Sequence, residues 1–180
     1  MGLDSVYETE NSYYLLLELF SGGNLKELLK KEGLLNERKA AFIMKQVLKP
    51  LQHLHKNKII HRDIKPDNIL FRQSDIFRDQ KQVAIADFGL STFSDSKELL
   101  YPKCGTPGFA APEVINYKKG TERYSNICDL YSFGVTLYYV LTTRLPYQGK
   151  KDLIDENKDG SIDLNKSEIF ATLTPAGFQI

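Results

Sequence analysis

The sequence predicts an α+β fold, mostly helical, with its short strands gathered in the first half of the chain. Three observations carry that expectation. Two long stretches repeat apolar residues at helical spacing, the segment from Lys58 to Gly89 breaks into short apolar runs, and a Gly/Pro-rich stretch separates these runs from the last long helix. With 180 residues the chain suits one domain and is short for two.

The elements follow in order. Glu8 to Ser12 is a polar turn, and Tyr13 to Phe20 reads as a largely buried strand, so the first twenty residues form a hairpin. Ser21-Gly22-Gly23 breaks the strand. Asn24 can cap a short helix carrying Leu25, Leu28 and Leu29, which stops at Gly33. Asn36 caps a longer helix with Ile43, Val47, Leu51 and Leu54 on one face. Pro50 lies inside that pattern and should kink it, because it removes a backbone donor and crowds the preceding turn. Ile59-Ile60, Ile69 to Phe71 and Val83 to Ala86 read as short strands that carry loops. The Gly/Pro-rich segment Cys104 to Pro112 precedes the second main helix, from about Ser125 to Thr143, and the pattern weakens after Pro146.

Composition excludes several classes. Hydrophobic residues make up 42% and charged residues 26%, an ordinary soluble balance, with 24 basic against 23 acidic side chains. That near-neutrality gives no electrostatic case for nucleic acid or an anionic membrane. The longest uncharged stretch, Leu130 to Thr143, falls short of the about 20 apolar residues a membrane span needs. There is no basic-then-apolar leader, and Cys104 and Cys128 are too few for a disulfide scaffold. The expectation is a cytoplasmic protein with reduced thiols.

The chemistry sits in the middle loops. His61-Arg62-Asp63 alone is a weak signal, but Ile64-Lys65-Pro66-Asp67-Asn68, Asp87-Phe88-Gly89 and Ala111-Pro112-Glu113 follow it in order. Asp63 precedes Asp87 by 24 residues. Asp87 and Asn68 offer hard oxygens, which suit Mg²⁺ and not a soft metal. Asp63 could accept a hydroxyl proton or simply orient the hydroxyl, and Lys65 could neutralise a transferring phosphoryl group.

In this order and at this spacing, the motifs resemble the catalytic loop, metal-binding loop and activation-segment end of the eukaryotic protein kinase family. The resemblance runs from about Leu3 to the end. Asp63 to Asn68 looks like the serine/threonine branch, and the wording is closest to the calcium/calmodulin-dependent kinase group. It implies a protein-kinase-like fold: residues 1–20 as the end of the N-terminal lobe and hinge strand, residues 21–180 as a helical C-terminal lobe. It implies ATP and Mg²⁺ as cofactors and a protein Ser/Thr hydroxyl as acceptor. Catalytic roles fall to Asp63, Lys65 and Thr106, the last in Gly105-Thr106-Pro107-Gly108, bonding the catalytic Asp. Asn68 and Asp87 would hold the metal. The Glu18 carbonyl and Phe20 N–H would meet the adenine edge, with Leu17 as gatekeeper and Leu70 as floor, although plain core packing competes for both leucines. Asp129 matches a buried aspartate that anchors the catalytic-loop backbone, a costly group unless it finds donors.

The sequence also departs from the family. It has no Gly-rich loop and no valine-alanine-x-lysine strand, which implies a fragment whose opening hairpin lacks the rest of its sheet and exposes an apolar face. Glu113 should pair with an arginine beyond Ile180. Arg62 is the residue that meets a phosphate on the activation loop in this family, yet Pro102 fills the usual acceptor position, so the ordinary switch is expected to be lost. Asn24, Gly108 and Tyr139 stand where basophilic relatives often carry Glu, and no substrate preference follows. In the tail, Asp155 to Asp163 resembles the start of an EF-hand loop, but Lys166 fills the twelfth position, where a bidentate Glu is required. Calcium binding by residues 155–166 is therefore disfavoured. The rival to an active kinase is a catalytically dead kinase-like binding module.

Overall fold

Asn24 and Asn36 set the first two helices. In the computed structural model, which describes residues 2–146 except 74, 76, 78–82, 97, 100 and 121, Asn24 accepts from the Glu27 N–H while the Glu27 side chain accepts from the Asn24 N–H. This reciprocal box satisfies two orphan donors at the start of α1 (Leu25–Glu32). Asn36 caps α2 (Glu37–Lys56) in the same sense, through the Lys39 N–H. Ile43, Val47, Leu51 and Leu54 are all buried along α2, as their spacing predicts. Pro50 lies inside α2, which continues through it as one helix.

The strands are short and pair as three two-stranded antiparallel sheets. β1 (Leu3–Thr9) and β2 (Ser12–Leu17) form the opening hairpin, with Val6 opposite Leu15 and Thr9 opposite Ser12, around a turn at Glu10-Asn11. β3 (Ile59–Ile60) pairs with β6 (Thr92–Phe93), and β4 (Ile69–Phe71) pairs with β5 (Val83–Ile85). β6 carried no signal of its own, because two residues are too few to show a period. The strand expected over Tyr13 to Phe20 ends at Leu17, and every residue of it is exposed, not buried. The reason is architectural: with only two strands in this sheet, neither face is covered by another described element.

The core is built from elements that follow the hairpin. Leu25, Leu29, Ile43, Met44, Val47, Leu51, Ile64, Ile69, Phe71, Ile85, Val140 and Leu141 form one buried cluster joining α1, α2, β4, β5 and α4 (Ile127–Thr142). Burial of each such side chain contributes roughly 1.5–3 kcal/mol. A second cluster gathers Ile60, Ala111, Val114, Tyr124 and Cys128 around α3 (Pro112–Ile115), a short helix that the Gly/Pro-rich reading did not anticipate. Among the described residues, no helix is long and apolar enough to cross a membrane. The EF-hand-like stretch 155–166 lies outside the described residues.

This layout brings two loops together. The loop after β3 runs from His61 through a 3₁₀ turn at Pro66–Asn68 into β4, and the loop after β5 starts at Ala86. The Ala86 N–H donates to the Asn68 carbonyl at 2.9 Å, which ties the two loops at their roots.

Candidate active site

The loop that carries Asp63 hangs from one buried carboxylate. Asp129, fully buried near the start of α4, accepts the His61 N–H at 2.9 Å and the Arg62 N–H at 2.7 Å. His55 from α2 reaches the same carboxylate at 2.9 Å. A carboxylate taken out of water would be costly alone; here three nitrogens surround it, which is the anchoring expected of Asp129. Arg62 thereby keeps a left-handed backbone, φ 69°, and Asp87 has φ 62°. Such conformations cost non-glycine residues about 1–3 kcal/mol and persist only where surrounding bonds fix them.

Asp63, Lys65, Asn68 and Thr106 meet in one knot. Lys65 Nζ lies 2.7 Å from Asp63 Oδ2 and 2.7 Å from Thr106 Oγ1. The Thr106 hydroxyl donates to Asp63 Oδ1 at 2.6 Å. Asn68 Nδ2 donates to the Asp63 carbonyl at 2.9 Å and to Asp63 Oδ2 at 3.0 Å. Burial pushes the Asp63 carboxyl upward, but the bonds from Lys65, Thr106 and Asn68 outweigh it and hold the group below its usual range. With its amide nitrogen spent on Asp63, Asn68 has its Oδ1 left for a cation. Asp87 is exposed, and its Oδ1 accepts only a 3.2 Å bond from the Gly89 N–H among the described residues. A hard oxygen from each fits Mg²⁺ completed by phosphate and water oxygens.

His61 braces the two loops. Its Nε2 faces the Ala86 carbonyl at 3.0 Å and its Nδ1 accepts from the Asp63 N–H at 3.3 Å, so the neutral ring with hydrogen on Nε2 satisfies both. Burial lowers its pKa further below 6.5 than nearby carboxylates can restore. The Phe88 ring stands edge-on to it at 5.1 Å.

The hinge side is built differently. Gly22 N–H donates to the Phe71 carbonyl at 2.9 Å, and a Cβ on Gly22 would stand 2.3 Å from the Gln73 carbonyl oxygen, so only glycine lets this stretch lie against the end of β4. Asn24 bridges to Leu70, which is half-buried. The Glu18 carboxylate takes the Arg72 guanidinium and the Gly2 N–H, and Arg72 stacks 5.1 Å over the Phe20 ring. Among the described residues, the Glu18 carbonyl and the Phe20 N–H carry no hydrogen bond. Leu17 is 39% exposed, so core packing does not account for it.

Sequence reasoning missed four contributors: Arg72, His55, Lys26, which bonds Asp67 at 2.7 Å, and Tyr124. Each acts across more than forty residues, and no local pattern marks such partners. Arg62 is met by the Leu90 and Tyr101 carbonyls and the Tyr124 hydroxyl.

Comparison with known sequences extends this picture. A family model described as the protein kinase domain matches residues 1–174. A "probable myosin light chain kinase" of Dictyostelium discoideum is 36% identical over 161 residues, covering 89% of this chain and 49% of its own length. "Serine/threonine-protein kinase 33" of Bos taurus is 33% identical over 172 residues, 92% of this chain and 35% of its own. A "probable serine/threonine-protein kinase" of D. discoideum is 34% identical over 166 residues, 91% of this chain and 19% of its own. The chain thus spans half or less of each of these relatives.

Proposed function

The chain belongs to the protein kinase family, and on that premise we propose that it transfers the terminal phosphoryl group of ATP to a serine or threonine hydroxyl of a protein. The observation that supports this reading is the knot of Asp63, Lys65, Thr106 and Asn68. Asp63 orients the acceptor hydroxyl. Its carboxylate already receives three donors and is a weak base, so it takes the proton late, as the new phosphorus–oxygen bond forms. Lys65 stands where it can turn from Asp63 toward the transferring group and offset its charge. Asn68 and Asp87 would hold Mg²⁺, which offsets charge on the phosphate oxygens. The adenine edge fits the open Glu18 carbonyl and Phe20 N–H, over Leu70.

A place in the calcium/calmodulin-dependent kinase group, and residence in the cytoplasm with Cys104 and Cys128 as reduced thiols, belong to the same proposal. The test is phosphotransfer by the purified protein from radiolabelled ATP to a Ser/Thr peptide library. Loss by about 10²–10⁴ in Asp63→Ala is expected, the span of a positioned acid–base group. Transfer that survives Asp63→Ala sinks the reading. ATP binding without transfer in the unaltered protein would favour the binding module instead.

A further inference from the structure

The Tyr124 hydroxyl sits between a buried cation and the chain that carries Thr106. Arg62 is 4% exposed, and its Nη1 donates to the Tyr124 hydroxyl at 2.9 Å and to the Tyr101 carbonyl at 3.2 Å. The same hydroxyl donates onward to the Pro102 carbonyl at 3.0 Å. One oxygen therefore accepts from Arg62 and donates to Pro102, using both of its roles. The ring beneath is held by packing: it is buried among Ile60, Ala111, Val114 and Cys128, and Tyr117 stands edge-on at 5.7 Å. Burial pushes the hydroxyl up to about 12, so it keeps its proton, and its donor role, at any ordinary pH.

The stretch Tyr101 to Thr106 is short and doubly fixed. Upstream, the Tyr101 and Pro102 carbonyls are the points just described. Downstream, Gly105 takes φ 97° and packs so closely that a Cβ there would meet the Arg62 carbonyl oxygen at 2.9 Å. Thr106 then reaches Asp63 at 2.6 Å. With three residues between Pro102 and Thr106, a shift at one end is felt at the other.

We propose that Tyr124 is a positioning residue for phosphoryl transfer: its hydroxyl pins Pro102 to Arg62 and so keeps Thr106 on Asp63. Tyr124 touches no reacting atom in this scheme, and the proposal rests on the kinase reading above. What it predicts is coupling between two side chains that do not touch.

The test is a double-mutant cycle in the purified protein. Tyr124→Phe keeps the ring packing and removes the hydroxyl. It should lower kcat about tenfold, the equivalent of one lost hydrogen bond at the upper end of its usual worth, with the KM for ATP within about twofold. Thr106→Ala should lower kcat by more. Combined, the two should fall no further than about twofold below Thr106→Ala alone, because Tyr124 acts through Thr106. A kcat of Tyr124→Phe within twofold of the unaltered protein, or losses that multiply, overturns the proposal. A second readout needs no catalysis: trypsin cleavage after the exposed Lys103 should rise several-fold in Tyr124→Phe. If the unaltered protein transfers no phosphate, a risen cleavage rate keeps the pin and discards the kinase reading, and an unchanged rate discards the pin.

Discussion

The opening hairpin and the loop at Asp63 are both short pieces of backbone, yet they are held by opposite means. The hairpin is local: among the described residues β2 pairs only with β1, two residues away, and Tyr7, Tyr13, Tyr14, Leu15 and Leu16 all stand exposed on it. The loop is nonlocal. Its geometry is dictated by Asp129, Thr106 and Ala86, which lie from 25 to 68 residues away. Sequence neighbours give a strand pair its form cheaply but give it no rigidity, since a lone hairpin is marginal in water. Distant buried partners give the loop strained dihedrals that no local preference would choose.

Four substitutions test that contrast, beginning with the greatest effect. Asp129→Ala strips two loop N–H groups and His55 of their acceptor, and should cost about 3–5 kcal/mol in chemical denaturation. A loss below about 1 kcal/mol would mean that the loop does not depend on this anchor. Gly105→Ala comes next. It places a Cβ against the Arg62 carbonyl on a left-handed backbone, and a loss of about 1–3 kcal/mol is expected. An unchanged midpoint would show that the stretch yields freely.

The third concerns pH. His61 has its pKa lowered on folding, so the unfolded chain binds its proton first. Stability is full above 6.5 and declines as pH falls from there toward the folded value. His61→Gln should flatten that decline in denaturant midpoints measured between neutral and mildly acidic pH; an undiminished slope would assign it to another group. The smallest effect belongs to the hairpin. Leu15→Lys should move the midpoint by no more than about 0.5 kcal/mol while reducing self-association seen by light scattering. A large loss of stability there would erase the distinction between the two regions.

Much of the fold could be read from the residues. Leu25, Ile43, Val47 and Leu51 mark their helices because burial imposes a period near four, and Asn24 and Asn36 mark their starts because orphan N–H groups need a side-chain oxygen. The knot at Asp63 was legible for a different reason. Its members lie in ordered motifs, and Thr106 was readable only through the family resemblance. What failed did so on physical grounds. Periodicity alone reads Tyr13 to Phe20 as buried, since an apolar run looks the same whether or not anything covers it; the exposure of Tyr13 to Leu17 was legible only through the family resemblance, which implied a hairpin with an exposed apolar face. α2 runs through Pro50 as one helix, because a long buried face can carry one missing hydrogen bond. Tyr124 and Arg72 escaped because their partners lie 62 and 54 residues away, in segments without period.

Asp129 has a consequence in time as well as in space. The chain leaves the ribosome with His61 and Arg62 some 67 residues ahead of the carboxylate that will hold them. Closing a loop of that length carries an entropy cost that the docking of α4 on α2 helps to offset. Until α4 has been made and docked, the segment around Asp63 has backbone groups in water and no reason to adopt its left-handed turn. The segment around Asp63 is therefore set only once α4 is in place, and a nascent chain stopped before residue 129 carries these candidate site residues without their anchor.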